Sequence, residues 1–258
     1  MLVNKPYCRL WRPVKGYDSL GEIFKEKGTL IPTIEFLNDD RFAPQAEMQS
    51  LMASTHLIIR DLYELLDFVE PHNDNEKTYS HRIYELFLRT ATEFESNCKG
   101  ILKANGYNKK DEDLKASDYF KIAKAARLSE YVVTFHRWLP ERKFKPFEQW
   151  ANAEYKSLPW YKSYNNVKHN RYKCFSEANL GNLMNAVAGL LCILHAQIGE
   201  NMVEAGIERV YSSQNKQEEV HTAAFMIKAP AFTEEEQYDF IWDEIKMTAE
   251  PVQKYPFV

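Results

Sequence analysis

One stretch of the chain gathers more chemistry-bearing side chains than any other. Residues 158–173 read LPWYKSYNNVKHNRYK. Placed on a helix from 159 to 171, Tyr161, Asn165, His169 and Tyr172 recur at helical spacing near one face, and Tyr164, Lys168 and Arg171 form the adjacent stripe. Trp160 and Val167 are left to face a core. Such an edge presents an imidazole, a carboxamide, an ammonium and a guanidinium to one region. Imidazole exchanges a proton near neutral pH, a carboxamide orients a phosphate or the imidazole, and the two cations neutralise phosphate charge. The set suits a phosphodiester in RNA, where a base takes the 2′-hydroxyl proton and cations stabilise the charged transition state. The plain alternative is a solvated helix face with an ordinary surface histidine.

Charge sharpens the choice. The 258-residue chain carries 33 Lys and Arg against 37 Asp and Glu, a net charge of −4, which argues against general electrostatic wrapping of nucleic acid. Any polyanion site must therefore be local. Between Arg142 and Lys173, the cations Arg142, Lys143, Lys145, Lys156, Lys162, Lys168, Arg171 and Lys173 face only Glu148 and Glu154.

The elements that must position these residues are mainly helical. A 45% hydrophobic composition over this length allows one sizeable core. Residues 1–44, with Pro6, Pro13, Pro32 and Pro44, read as an arm lying on the body, with one short helix in SLGEIFKEKG ended by Gly28. From about 46 to 70, Leu51, Ile58, Leu62, Leu65, Leu66 and Val69 share a helical face that Pro71 ends. A longer helix follows, with Ile83, Leu86, Phe87, Ala91, Phe94, Cys98, Ile101 and Leu102 as its stripe and Gly106 as a C-terminal cap. SDYFKIAKAARL predicts a short helix capped by Ser117. EYVVTFHRW followed by PERKFKPFEQW predicts a small β-hairpin. EANLGNLMNAVAGLLCILHAQIGENM predicts the last helix, with Leu183, Val187, Leu190, Leu191, Leu194 and Ile198 on its apolar face. The expected fold is an up-and-down bundle of four to five helices over 45–205. A partly extended, acidic C-terminal extension over 206–258 contains a strand in AAFMIKA.

WYKSYNNVKHNR, followed closely by FSEANLGNLMNAVAGLLCIL, resembles the final part of HEPN (higher eukaryotes and prokaryotes nucleotide-binding) domains. LFLRTATEFESNCKGIL is similar to their earlier long helix, so the resemblance spans roughly 45–205. It implies an all-α bundle that pairs as a homodimer and, in many members, a metal-independent ribonuclease of toxin or defence type. The signature is an arginine, a polar residue, about three residues and a histidine. Asn165 and His169 match it, and Tyr164 stands in the arginine position, where a neutral phenol cannot hold phosphate as a guanidinium does. From side-chain chemistry rather than from the family, Arg171 or Lys168 would supply the missing charge. The expected catalytic set is thus His169, Asn165 and Arg171. Lys168, Tyr164 and Tyr161 are expected to touch RNA or nucleotide, with Arg89 and Glu93 of the long helix at the same groove or, more plainly, as a surface ion pair. The alternative is a non-catalytic HEPN-like module that binds a nucleotide, RNA or a protein such as a nucleotidyltransferase.

Other chemistries find less footing. EEVH at 218–221 is a single Glu-x-x-His, whereas a di-iron bundle needs two such motifs and two further glutamates. No Walker loop, GxGxxG, HExxH or GxSxG occurs, and neither metal nor cofactor is expected. His56, His136 and His195 sit among apolar neighbours and read as core or boundary histidines. Cys8, Cys98, Cys174 and Cys192 are scattered, as reduced and mostly buried thiols would be. No uninterrupted apolar run reaches membrane-span length and the N-terminus lacks a signal-peptide core, so the expectation is a cytoplasmic protein without a membrane partner.

Overall fold

Apolar residues spaced three and four apart become packed helices because each stripe must be removed from water. A computed structural model of the chain describes residues 4–15, 33–199, 219–221 and 225–257. The short helix expected in SLGEIFKEKG, and all but the last residue of SSQNKQEE, lie outside the described residues. The described part is mainly helical with a small antiparallel sheet.

α1, Gln45–Leu66, buries Leu51, Ile58, Leu62, Leu65 and Leu66 on its expected face. It packs on α2, His81–Ala104, whose whole predicted stripe from Ile83 to Leu102 is buried. Ser80 caps α2, its Oγ accepting from the Ile83 amide at 3.2 Å. At the other end Gly106 has φ +75°, its N–H donates to Lys103 O and the Tyr107 N–H donates to Leu102 O, both at 2.9 Å. This Schellman closure places a left-handed residue where only glycine sits without strain. Gly106→Ala is expected to cost about 1 kcal/mol, read as a lower urea midpoint at unchanged slope.

The short α3, Ala116–Ala125, starts differently from expectation. Ser117 lies inside its first turn, and Asp118 closes the helix start by accepting from the Lys115 amide at 2.8 Å. The same carboxylate takes Lys109 Nζ at 2.7 Å and the Tyr107 hydroxyl at 2.9 Å. Burial alone would raise its pKa, but these donors outweigh burial and hold it below the usual carboxylate value.

The expected hairpin is present as β1, Val132–Phe135, and β2, Lys143–Phe144, paired antiparallel with Val133 opposite Phe144. Beyond the bundle, β3 (Glu219–His221) and β4 (Phe225–Lys228, within AAFMIKA) complete a sheet of order β2-β1-β4-β3. The C-terminal segment therefore joins the hairpin through β4, where Phe135 and Phe225 stack at 4.7 Å. The N-terminal segment is stitched to the helical body and to the C-terminal segment. Trp11 N donates to Ala196 O, Cys8 N to Gln253 O, and the Tyr238 hydroxyl to Leu10 O.

α6, Leu180–Ile198, is the centre of the molecule. The sequence suggested one apolar face, but burial extends around nearly the whole helix because α2, α4 (Pro159–His169) and the N-terminal segment enclose it. By length and composition α6 could cross a membrane; here it is a core helix, buried over nearly all of its length. His195 is fully buried on it, with Nδ1 2.9 Å from the Tyr131 hydroxyl. His56 and His136 are exposed, so they are not the core or boundary histidines expected from their apolar neighbours in sequence. Cys8, Cys98 and Cys192 are buried thiols and Cys174 is partly exposed.

Candidate functional site

α4, Pro159–His169, carries the motif. Proline suits its first turn, where no N–H partner is needed. Trp160 and Val167 face the core as expected. The Trp160 indole donates to Pro146 O at 3.0 Å, and its ring lies so close to Gly189 of α6 that a Cβ there would stand 3.1 Å away. The helix ends at His169. Asn170 leaves helical geometry (φ −142°, ψ 61°), and the chain restarts as α5, Arg171–Cys174.

That break and the burial pattern correct the expected face. Tyr172 lies beyond the end of α4 and is 96% exposed, whereas Tyr161 and Tyr164 are 4% and 1% exposed. Their rings pack beside Phe94 and Phe87 respectively, so neither offers a surface to RNA. The outward face of α4 is instead Lys162, Asn165 and His169, spaced three, four and seven residues apart. His169 is exposed and Asn165 partly so, and neither side chain hydrogen-bonds another described residue.

The two buried tyrosines converge on one carboxylate that the sequence did not single out. Glu95 of α2 accepts the Tyr161 hydroxyl on Oε1 at 2.5 Å and the Tyr164 hydroxyl on Oε2 at 3.3 Å. Lys168 Nζ donates to the Tyr164 hydroxyl at 3.0 Å and stands 3.7 Å from Glu95 Oε2. Burial, with the Glu95 negative charge next, pushes the Tyr161 phenol far above its ordinary value, so it stays a donor. Burial would lower the Lys168 pKa, but the Tyr164 hydroxyl and Glu95 raise it overall and keep the ammonium charged. The position of the signature arginine is therefore filled by a phenol committed to a buried network. Glu95 does leave a faint trace in the sequence, a charged residue wedged between the core positions Phe94 and Cys98.

Arg171 is held elsewhere. Its Nη2 donates to His81 Nδ1 at 3.0 Å, and its guanidinium lies over the Tyr84 and Phe175 rings at 4.9 and 5.6 Å. This bond needs an unprotonated Nδ1, which assigns the His81 proton to Nε2. Phe175 also meets Tyr79 and His81, at 5.6 and 4.8 Å. Backbone bonds from Leu180 N to Thr78 O and from Gly181 N to Glu76 O fix this corner, tying the start of α6 to the loop before α2. None of these aromatic partners was legible beforehand, since they come from two parts of the chain about ninety residues apart.

Arg89 and Glu93 are not brought to α4. Arg89 pairs with Asp61 of α1 rather than with Glu93, and lines a cleft of about 370 Å³ between α1 and α2 together with Arg60, Glu64, Phe68, Arg82 and Glu85. Burial raises the Glu93 pKa, and the Arg89 charge opposes that only in part. Asn97, one turn beyond Glu93 on α2, is fully buried. Among the described residues no group of three or more His, Cys, Asp or Glu side chains is placed to hold a metal.

The charge along the α4–α5 edge is open. Lys162 and Lys173 are exposed and make no ion pair with a described residue, and Arg171 has no carboxylate partner there. Arg142, by contrast, is taken up by Glu76 at 2.9 Å. In comparisons with known proteins, no family model, no curated sequence and no solved structure matches the chain.

Proposed function

We propose that the chain is a HEPN-like RNA-binding domain that grips phosphates along the α4–α5 edge. The observation that carries this is a run of exposed, uncompensated cations, Lys162, Arg171 and Lys173, flanking the open imidazole of His169 on an acidic chain. Phosphate contacts dominate nucleic-acid affinity, and a local cationic edge supplies them without a basic protein. Cleavage is the less favoured outcome of the same site. Tyr164 brings no charge to the signature position, and Arg171 is bound to His81 and two aromatic rings rather than to the motif histidine. Ribonuclease action remains as a second reading on one specific ground, that His169 is exposed and free of hydrogen-bond partners, as a general acid or base must be.

The test is the affinity for a mixed-sequence RNA oligonucleotide by fluorescence anisotropy across a salt series. The double reversal Lys162→Glu with Lys173→Glu is expected to weaken binding about tenfold or more and to reduce the slope of log affinity against log salt by about two. Equal affinity and slope for both proteins would sink the binding reading. Incubation of the same RNA in chelator is expected to leave it intact; cleavage that vanishes in His169→Ala would establish the second reading instead.

A further inference from the structure

We propose that the elbow joining α4 to α5 is a stacking platform for unpaired RNA bases, so that the domain prefers single-stranded over duplex RNA. The proposal rests on the RNA-binding reading above and deepens it. Tyr172 is 96% exposed and Tyr79 is 51% exposed, in a chain that buries most of its large rings. Tyr172 makes no hydrogen bond or ring contact with any described residue, so both faces of its ring are open. A solvent-exposed aromatic contributes nothing to the fold, and several around one cation make a surface suited to a flat, polar partner.

The cation is Arg171. Its guanidinium already lies over the Tyr84 and Phe175 rings, and the His81 bond holds it there. One donor is spent on a neutral nitrogen and none on a carboxylate of the described residues, so the charge and the remaining donors are free for a phosphate oxygen. Pre-ordering by the rings lowers the entropy that binding would otherwise cost. Tyr172 follows Arg171 directly in α5 and Phe175 opens the next helical turn, so both rings belong to the short segment that carries the cation. A backbone phosphate held at Arg171 therefore brings its neighbouring bases to these rings. Bases in a duplex are already stacked and present only their edges, whereas unpaired bases can be splayed onto aromatic or guanidinium planes.

The experiment uses the full chain and one RNA containing 2-aminopurine, alone and annealed to its complement. Wild type is expected to bind the single strand more tightly than the duplex and to change the 2-aminopurine fluorescence on binding. Tyr172→Ala is expected to lose about tenfold in single-strand affinity, at the scale of one lost stacked base, with duplex affinity unchanged. Tyr172→Phe, which keeps the ring, should retain both the affinity and the fluorescence change. Because Tyr172 is almost wholly exposed, neither variant threatens folding. Equal binding of single strand and duplex by the wild type, or unaltered single-strand binding by Tyr172→Ala, would overturn the platform while leaving the phosphate-binding reading intact. Failure of the wild type to bind either form overturns both.

Discussion

Glu95→Ala is expected to destabilise the fold by about 3 kcal/mol and, on the RNA-binding reading proposed above, to weaken RNA binding together with it. Two buried phenols, Tyr161 and Tyr164, donate to the two oxygens of this one carboxylate. Hydrogen bonds to an ionised acceptor contribute roughly 1.5–3 kcal/mol each, and a buried donor left without its partner bears a desolvation penalty as well. Against this stands the cost of keeping a carboxylate 14% exposed, which alanine would relieve. The bonds win, because both hydroxyls are fixed inside the core by aromatic neighbours and cannot turn to water. The ion pair with Lys168 adds little, since that ammonium is 44% exposed and well solvated. Glu95→Gln keeps one strong acceptor and the side-chain shape, so it should lose roughly half as much. Urea unfolding measures both variants, with midpoints falling at unchanged slope. A Glu95→Ala midpoint within about 0.5 kcal/mol of wild type, the range of ordinary surface changes, would show that the tyrosines are held by packing alone. The functional consequence follows from position, because Glu95 is what pins the face of α4 opposite Asn165 and His169.

The second large effect is expected at Arg9. Its side chain is 1% exposed; Nε and Nη2 donate to Gln197 Oε1 at 2.9 and 2.7 Å, and Nη1 to Glu47 Oε1 at 2.5 Å. Gln197 in turn donates to Asn97 Oδ1 at 2.6 Å, so one buried polar network joins the N-terminal segment to α1, α2 and α6. Space for the guanidinium exists only because residue 100 is glycine: a Cβ there would lie 2.2 Å from Arg9 Nη1. Burial depresses the Arg9 pKa, and Glu47 pulls it back up. Arg9→Ala removes three charge-assisted bonds, leaves Gln197 short of donors and opens a void beside Gly100, at a combined cost of about 3 kcal/mol. The full penalty of an orphaned buried charge is avoided because Glu47 is 46% exposed and can rehydrate. Arg9→Lys should recover only part, since an ammonium cannot reproduce the planar fork. Amide hydrogen exchange gives the local readout: Arg9 N, bonded to Phe42 O, and Trp11 N, bonded to Ala196 O, should lose protection in Arg9→Ala. Retained protection at both amides would mean that the segment is held by Trp11, Leu10 and Tyr238 without the network.

What was legible in the sequence depended on how far apart the cooperating residues lie. The α2 stripe from Ile83 to Leu102, the Gly106 end and the inward placement of Trp160 and Val167 are set by neighbours within a turn or two, where the 3.6-residue period and the intrinsic φ preference of glycine act directly. The β-branched run at Val132–Thr134 likewise announced a strand, though not that a segment more than ninety residues later would pair with it. Extrapolating a helical face failed once the helix stopped. KHNRYK contains no glycine or proline to mark the end at Asn170, so Tyr172 and Arg171 were counted on the same continuous helix as His169, although they lie beyond its end.

The sequence alone therefore determined a mainly helical chain, its principal core stripes, and one local concentration of cations, carboxamide and imidazole, because composition and short-range periodicity are properties of the chain itself. Only the tertiary structure decided which members of that concentration meet solvent. Tyr161 and Tyr164 turn inward since Glu95, 66 and 69 residues away, satisfies their hydroxyls in the core, and Arg171 turns to His81, 90 residues away, since the aromatic corner there holds its plane. Partners at such separations are selected by packing geometry, which no local pattern encodes.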